Sequence, residues 1–217
     1  MRQPQVPVYA IAAGVSMAAF QLVRPWGDVT EEPEAMAEAF ADPRWVIAHL
    51  AGAAVFILLT LLANDVVAEG IRQHAVRRRS PVARIARYGT FVGTSLVLLY
   101  FGAETFALHE IGRAALTGSS VDVVALSTSI RMNLVAVSVF GAGLLIVAAA
   151  MICLAVVAKR SGAAAWGAWP LSVLAALVLA QFALPPAGRM AYGVAFLLAA
   201  VLFAVAWRRR PTPAPAA

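Results

Sequence analysis

The sequence predicts an all-α fold, a polytopic membrane helical bundle that crosses the bilayer about six times, with the N-terminus and C-terminus cytoplasmic. Hydrophobic residues make up 62% of the 217-residue chain and charged residues only 13%, whereas soluble domains carry roughly a quarter charged residues. Six apolar runs have about the 20-residue length that a transmembrane helix needs. Basic residues cluster between alternate runs, as is typical of cytoplasmic loops.

The apolar runs form a single membrane domain, residues 1–210, followed by a short tail. The predicted spans are residues 8–23, 45–67, 88–109, 132–157, 163–184 and 189–207. The first span is the weakest because it is short and contains Ser16 and Gln21. The tail, residues 211–217, is rich in Pro and Ala, and its composition predicts disorder.

A polar segment, residues 24–44, separates the first two spans and carries six of the 11 acidic residues. Within it, residues 30–40 begin with acidic side chains and continue with Ala and Met. Acidic side chains are favoured in the first turn of a helix. We therefore expect a short helix that lies on the membrane surface.

The distribution of basic residues predicts the orientation. With the N-terminus inside, 12 of the 17 basic residues lie in cytoplasmic segments and five lie outside. The largest cluster, between the second and third spans, contains Arg72, Arg77, Arg78, Arg79, Arg84 and Arg87. Because cytoplasmic loops are enriched in Arg and Lys, the net charge of +6 indicates topology rather than nucleic-acid binding. We expect a multi-pass protein of the bacterial inner membrane.

Four ionisable residues, His49, Asp65, Glu104 and His109, lie within or at the ends of predicted spans and outside the arginine clusters. Asp65 and His109 lie at span ends, where we expect solvated, paired or interfacial side chains, so Glu104 and His49 are of most interest. Glu104 follows Tyr88 by 16 residues, which is about 24 Å along a helix and about two turns short of the outer surface. His49 lies at a similar depth in the second span. An ionisable group near a helix centre costs about 2.5–3.5 kcal/mol on insertion scales, so these residues are candidates for function.

Further polar residues share this depth in other spans. They are Gln21, Arg131, Asn133 and Gln181. Since the inner half of the bundle is less polar, we predict a ligand-binding pocket in the outer third, with Glu104 at its base and His49 nearby. An alternative stays open, in which these residues form a hydrogen-bond network that only stabilises helix packing.

Metal and cofactor chemistry is disfavoured by the spacing of the candidate residues. His49, Glu104 and His109 would supply two nitrogens and an oxygen, but His109 points about 140° away from Glu104 on an ideal helix. Walker, Rossmann, Gly-x-Ser-x-Gly and Cys-x-x-Cys motifs do not occur in the sequence. We therefore expect no metal and no soluble cofactor.

Two short motifs resemble a known group of proteins. The stretch YFGAETFAL, residues 100–108, and the stretch WVIAHL, residues 45–50, are similar to segments of small six-helix membrane proteins of high-GC actinobacteria. The helix layout matches over most of the chain, and the two motifs are the specific part of the resemblance. This family has no settled activity, so the resemblance implies the fold alone.

The size, the helix count and the intramembrane acid also resemble the small integral-membrane terpene cyclases of indole-terpenoid pathways. In these enzymes an acid protonates an alkene or an epoxide, and aromatic rings stabilise the resulting cations. This resemblance implies Glu104 as the proton donor and His49 as its orienting or relay partner. The aromatic residues that would contact the substrate are Trp45, Tyr100, Phe101 and Phe106.

Three functions remain open at this point. The first is a membrane-embedded enzyme or binder of a hydrophobic, isoprenoid-like small molecule, surrounded by membrane lipid. The second is a proton-coupled transporter that carries its proton on Glu104 and works as a homo-oligomer. The third is a non-catalytic component that binds a partner protein through the acidic or the arginine-rich loop. The first is favoured because the internal repeat typical of many transporters is not visible.

Overall fold

The computed structural model describes residues 5–30 and 32–211, which form eight helices. They are α1 Val6–Val23, α2 Pro33–Ala41, α3 Pro43–Arg72, α4 Pro81–Leu116, α5 Val123–Arg131, α6 Leu134–Arg160, α7 Ala165–Ala176 and α8 Pro186–Arg208. Two π-helical turns, Ile85–Gly89 and Ala103–Ala107, interrupt the α-helical geometry of α4. This part of the chain contains no β-strand. Most of the predicted tail, residues 212–217, lies outside the described residues.

Five helices are long and apolar enough to cross a membrane: α1, α3, α4, α6 and α8. This confirms the prediction of an all-helical, multi-pass membrane protein. The fifth predicted span, residues 163–184, forms the 12-residue helix α7, a turn and the 3-10 turn Ala180–Ala183. Pro170 lies inside α7, where its missing N–H removes a hydrogen bond of the helical ladder.

Several helices extend beyond the predicted spans. Helix α3 begins at Pro43, and α4 ends only at Leu116. Proline is favoured at a helix start because the N–H it lacks has no helical partner there. Asp42 caps α3, since its side chain accepts a hydrogen bond from the Arg44 backbone N–H at 2.8 Å. Hydropathy marks only the apolar part of a helix, so the polar ends were not predicted.

Small residues allow the helices to approach closely. Helix α1 lies between α3 and α8, α7 lies between α6 and α8, and α4 packs on α6. A Cβ on Gly93 of α4 would lie 2.7 Å from the carbonyl oxygen of Gly143 in α6, and one on Gly167 would lie 2.2 Å from Ala206 Cβ. Such close contacts are a main source of helix association in membranes.

The two ends of the bundle differ. At the cap end, where α1 ends and α3 begins, the short helices α2 and α5 pack over the end of α4. A small apolar cluster lies beneath them, formed by Met36, Ala37, Phe40, Trp45, Leu108 and Val123. The predicted surface helix is therefore α2, and it packs firmly on the bundle. At the opposite end, here named the arginine end, lie residues 73–80 and the end of α8.

Candidate ligand-binding pocket

A cavity of about 400 Å³ lies at the cap end of the bundle. Six of its lining residues are ionisable: Arg24, Asp28, His49, Glu104, Arg131 and Arg189. Five others are aromatic: Phe20, Tyr100, Phe101, Phe140 and Phe182. Small-molecule sites have volumes of about 300–1,000 Å³ and combine apolar walls with a few polar groups. The cavity therefore has the size and the composition of a ligand site.

Four of the ionisable residues form one chain of ion pairs. Asp28 Oδ2 accepts hydrogen bonds from Arg24 and from Arg131 Nη2, the latter at 2.9 Å. Arg131 Nε also donates to Glu104 Oε1 at 2.9 Å, and Arg131 Nη2 lies 2.8 Å from the same oxygen. Glu104 lies in α4, Arg131 is the last residue of α5, and Arg24 and Asp28 follow the end of α1. The ion pairs therefore hold three segments of the chain around the cavity.

The cavity has an excess of positive charge. Three arginines, Arg24, Arg131 and Arg189, share it with two carboxylates, Asp28 and Glu104. Burial by itself lowers the pKa of Arg131, but the attraction of Glu104 and Asp28 outweighs burial and raises this pKa above its ordinary value. Arg131 therefore keeps its charge. One positive charge is left without a carboxylate in the cavity, which favours an anionic ligand group.

Three buried polar atoms of this cluster have no hydrogen-bond partner among the described residues. They are Asp28 Oδ1, Arg24 Nε and Trp26 Nε1. Asp28 is only 5% exposed and Arg24 only 8%. A buried polar group without a partner costs about 1–3 kcal/mol, and nearly all such groups in native proteins bind protein, water or ligand. Arg24 and Asp28 line the cavity, so one unpaired donor and one unpaired acceptor are buried beside it, and Trp26 Nε1 is a further unpaired donor outside the lining.

Glu104 lies in a π-helical turn, Ala103–Ala107, where α4 passes the cavity. Turns of this kind are frequent at functional sites. The Trp45 indole of α3 donates a hydrogen bond to the backbone carbonyl of Glu104 at 3.0 Å. The Trp45 ring also lies 4.9 Å from the guanidinium carbon of Arg24. Trp45 therefore does not line the cavity itself but helps to position Glu104 and Arg24, which do.

His49 is packed among rings on the cavity wall. Its ring centre lies 4.0 Å from that of Trp45 and 5.5 Å from that of Phe20. Nδ1 donates to the Trp45 backbone carbonyl at 2.8 Å, since a carbonyl only accepts. This assignment makes Nε2 the acceptor nitrogen of the neutral ring. Within residues 5–30 and 32–211, no hydrogen bond joins His49 to Glu104.

The aromatic residues form the apolar part of the wall. The rings of Tyr100 and Phe140 stack with centres 4.4 Å apart, and Phe182 meets Phe140 at 5.8 Å. Phe20 and Phe101 form a second pair, also 5.8 Å apart. Rings at these distances and angles are the usual arrangement of packed aromatic pairs. This part of the wall is therefore mostly apolar and closely packed.

The mouth of the cavity is apolar, in contrast to its charged floor. Its most exposed apolar lining residues are Met132 at 69%, Val29 at 45%, Leu179 at 41% and Val137 at 38%. All but Val29 lie around the start of α6 and in the turn that follows α7. An opening with this lining is favourable for a ligand that arrives from lipid.

The cavity brings together some of the predicted site residues. Those that line it are His49, Tyr100, Phe101, Glu104 and Arg131. Trp45, Gln21, Phe106, Asn133 and Gln181 are not among the lining residues. Gln21 Nε2 donates to Gln181 Oε1 at 3.3 Å, Asn133 caps α6, and Phe106 is 56% exposed.

Sequence reasoning missed several cavity residues. They are Phe20, Arg24, Asp28, Phe140, Phe182 and Arg189. The three charged ones were assigned to loops and to topology because each flanks a predicted span. The spacing of Arg24 and Asp28, four residues apart around Pro25-Trp26, was the one available signal of a local ion pair.

A metal site finds no support in the geometry. Across residues 5–30 and 32–211, no three His, Cys, Asp or Glu side chains are grouped to hold a metal ion. His109 is the third residue of the metal-ligand set considered in the sequence analysis. It donates from Nδ1 to the Phe40 carbonyl at 2.7 Å and thereby connects α4 to α2.

Comparison with family models, with curated proteins and with solved structures finds no match to this chain. The resemblance to small actinobacterial membrane proteins therefore stays a prediction. The same holds for the resemblance to membrane terpene cyclases.

Proposed function

We propose that the chain crosses the bacterial inner membrane six times, with both termini cytoplasmic and the cap end outside. The sixth crossing is α7 with the turn Ala180–Ala183. In support, Gly167 packs against Ala206 near the end of α8, and Gln181 contacts Gln21 near the end of α1. Through these contacts, α7 and the turn Ala180–Ala183 together run along the length of the neighbouring helices α8 and α1. The excess of arginine at the opposite end supports the orientation.

In this protein the cavity binds a lipophilic ligand with an isoprenoid-like body and an anionic head, such as a prenyl phosphate. One observation carries the proposal: a buried cluster with one excess positive charge lies at the floor of a cavity whose mouth is apolar. The head binds beside Arg131 and Arg189, and the apolar body lies against Tyr100 and Phe140. Arginine suits this role because its planar fork matches phosphate and carboxylate oxygens.

Glu104 and His49 have supporting roles in this proposal. Glu104 orients Arg131 toward the head group through their ion pair. His49 offers its Nε2 as an acceptor to a protonated oxygen of the head group, and its ring is held in place by the Nδ1 hydrogen bond to the Trp45 carbonyl. Neither role requires a chemical step.

A proton-initiated cyclase is the second candidate, and the aromatic lining favours it. Rings around a cavity that is also lined by Glu104 and His49 would stabilise a carbocation. The Glu104–Arg131 ion pair weighs against it, because a carboxylate paired with a guanidinium is a poor proton donor. The transporter and partner-binding alternatives stay predictions.

The test is a titration of the detergent-purified protein with farnesyl phosphate and with farnesol, followed by tryptophan fluorescence. We expect the phosphate to bind more tightly, and Arg189→Gln to weaken its binding by about tenfold. Arg113→Gln is the matched control, because Arg113 pairs with Glu110 on the surface. Equal affinity for both ligands, unchanged by Arg189→Gln in a folded protein, would contradict the proposal.

Incubation with linear isoprenoid alcohols and epoxides separates the two candidates. A binder returns them unchanged, as gas chromatography with mass spectrometry would detect. A cyclic product that disappears in Glu104→Gln would replace the binding proposal with the cyclase.

A further inference from the structure

A second cavity, of about 150 Å³, lies at the arginine end between the end of α3 and the start of α4. Three arginines line it: Arg78, Arg84 and Arg87. None of them forms an ion pair with a carboxylate of the described residues. Glu69, in the last turns of α3, is already bound by Arg72 and Arg210. The cavity is therefore cationic and without an internal counter-ion.

An open apolar groove of about 580 Å³ adjoins this cavity and shares Arg84 and Tyr88 with it. The groove continues along α4 and α6 past Ile85, Val92 and Ile146. Ile85 is 46% exposed and Val92 is 47% exposed. Large apolar side chains are thus available to a lipid chain directly beside a cationic cavity.

We propose that the cavity and the groove together bind one anionic phospholipid. The headgroup phosphate lies among Arg78, Arg84 and Arg87, and an acyl chain follows the groove. A guanidinium group binds phosphate through two parallel hydrogen bonds to its oxygens. Tyr88 supplies the amphipathic ring that is common at the headgroup level of a membrane. With the orientation proposed above, this end faces the leaflet that carries anionic lipid.

The site differs from a topology signal in one respect. A topology signal depends on the number of basic residues in a loop, and every arginine of residues 72–87 contributes to it equally. A binding site depends on the arginines that line the cavity. Arg77 and Arg79 belong to the same exposed run but do not line it, so they serve as an internal control.

Native mass spectrometry of the detergent-purified protein tests the proposal. Wild type is titrated with phosphatidylglycerol, with phosphatidylcholine of the same acyl chains, and with glycerol phosphate. We expect one retained phosphatidylglycerol, weaker retention of phosphatidylcholine, and no displacement by glycerol phosphate. Arg84→Gln/Arg87→Gln should weaken phosphatidylglycerol binding by about tenfold, and Arg77→Gln/Arg79→Gln should leave it unchanged.

A variant in the groove tests the acyl chain separately. Val92→Trp fills the groove and should lower phosphatidylglycerol retention, whereas Leu99→Trp, at a 69% exposed position of α4 outside the groove, should not. Equal losses of phosphatidylglycerol binding in both arginine double variants would mean that the lipid is held by general charge attraction and not by a defined site. Displacement by glycerol phosphate would identify a soluble phosphate site. Either result overturns the proposal, as does retention unaffected by any of these changes.

Discussion

Two buried carboxylates at opposite ends of the bundle have similar exposure and different surroundings. Asp28 at the cap end is 5% exposed, and Glu69 at the arginine end is 3% exposed. Glu69 uses both oxygens: Oε2 accepts from Arg72, and Oε1 accepts from Arg72, Gln73 and Arg210 at 2.6–2.8 Å. Asp28 uses only Oδ2, and its Oδ1 has no partner among the described residues.

The difference separates a structural ion pair from a candidate binding site. Because the Glu69 carboxylate has a donor on each oxygen, it joins the end of α3 to Arg210, two residues beyond the end of α8, and neither oxygen is left without a partner. Asp28 keeps one oxygen without a partner and lines a cavity, whereas the unpaired atom of the Glu69 cluster is Arg210 Nη1 and not a carboxylate oxygen. Burial alone does not distinguish the two, whereas the number of satisfied hydrogen bonds does.

The largest expected effect is on stability at the arginine end. Glu69→Ala should lower the free energy of unfolding by about 3 kcal/mol, because removing one partner leaves buried positive charge uncompensated. Glu110→Ala is the control, since the Glu110–Arg113 pair is exposed on both sides and should contribute less than about 1 kcal/mol. Unfolding in mixed micelles, followed by circular dichroism, measures both. Equal losses would contradict the structural role of Glu69.

An intermediate effect is expected at the cap end. Asp28→Asn should lower the free energy of unfolding by about 1–3 kcal/mol through lost hydrogen bonds to arginine. It also raises the positive charge of the cavity, so farnesyl phosphate should stabilise this variant more than it stabilises wild type. In Glu69→Ala the stabilisation by the ligand should equal that of wild type. A shift in melting temperature with added ligand measures the comparison, and identical shifts in all three proteins would contradict it.

A smaller effect is expected at Trp45. Trp45→Phe keeps an aromatic ring but removes the indole donor to the Glu104 carbonyl, which should cost about 1 kcal/mol of stability and weaken farnesyl phosphate binding. Trp166→Phe, at a half-exposed position of α7, is the matched control. If both variants bind the ligand like wild type, Trp45 does not position the π-helical turn.

The smallest effect is expected at the exposed Asp42–Arg44 pair. The hydrogen bond from Arg44 holds the pKa of Asp42 below its ordinary value of 3.8. A lowered pKa in the folded state means that the contribution is complete above this ordinary value and is lost as the pH falls through the lowered pKa. Asp42→Asn keeps the helix cap and should change stability at pH 7 by less than about 1 kcal/mol. Melting temperatures at pH 7 and pH 3 measure this, and a large loss at pH 7 would contradict it.

The helical fold was predictable because its signals are local. Apolar runs of span length and the arginine cluster both belong to short stretches of sequence. Glu104 and His49 were found by the same means, since an ionisable residue inside an apolar run is conspicuous without any neighbour. Their common depth also followed from counting residues along each helix.

The composition of the cavity was not predictable in this way. Helices that are apolar on all sides carry no periodicity from which the buried face can be inferred. The positions of Phe140 and Phe182 at the cavity, and of Phe106 on the surface, therefore depended on how the helices pack. The same is true of Arg24, Asp28 and Arg189, which flank different spans and meet only in three dimensions.

The sequence by itself determined the membrane class and the apolar helical segments, because these depend on local composition. Only the tertiary structure decided which charges meet, which buried atoms stay unpaired and that the segment after Ala176 breaks. These depend on contacts between residues far apart in the chain, such as Asp28 with Arg131 and Glu69 with Arg210. Long-range contacts of this kind leave no local pattern in a single sequence.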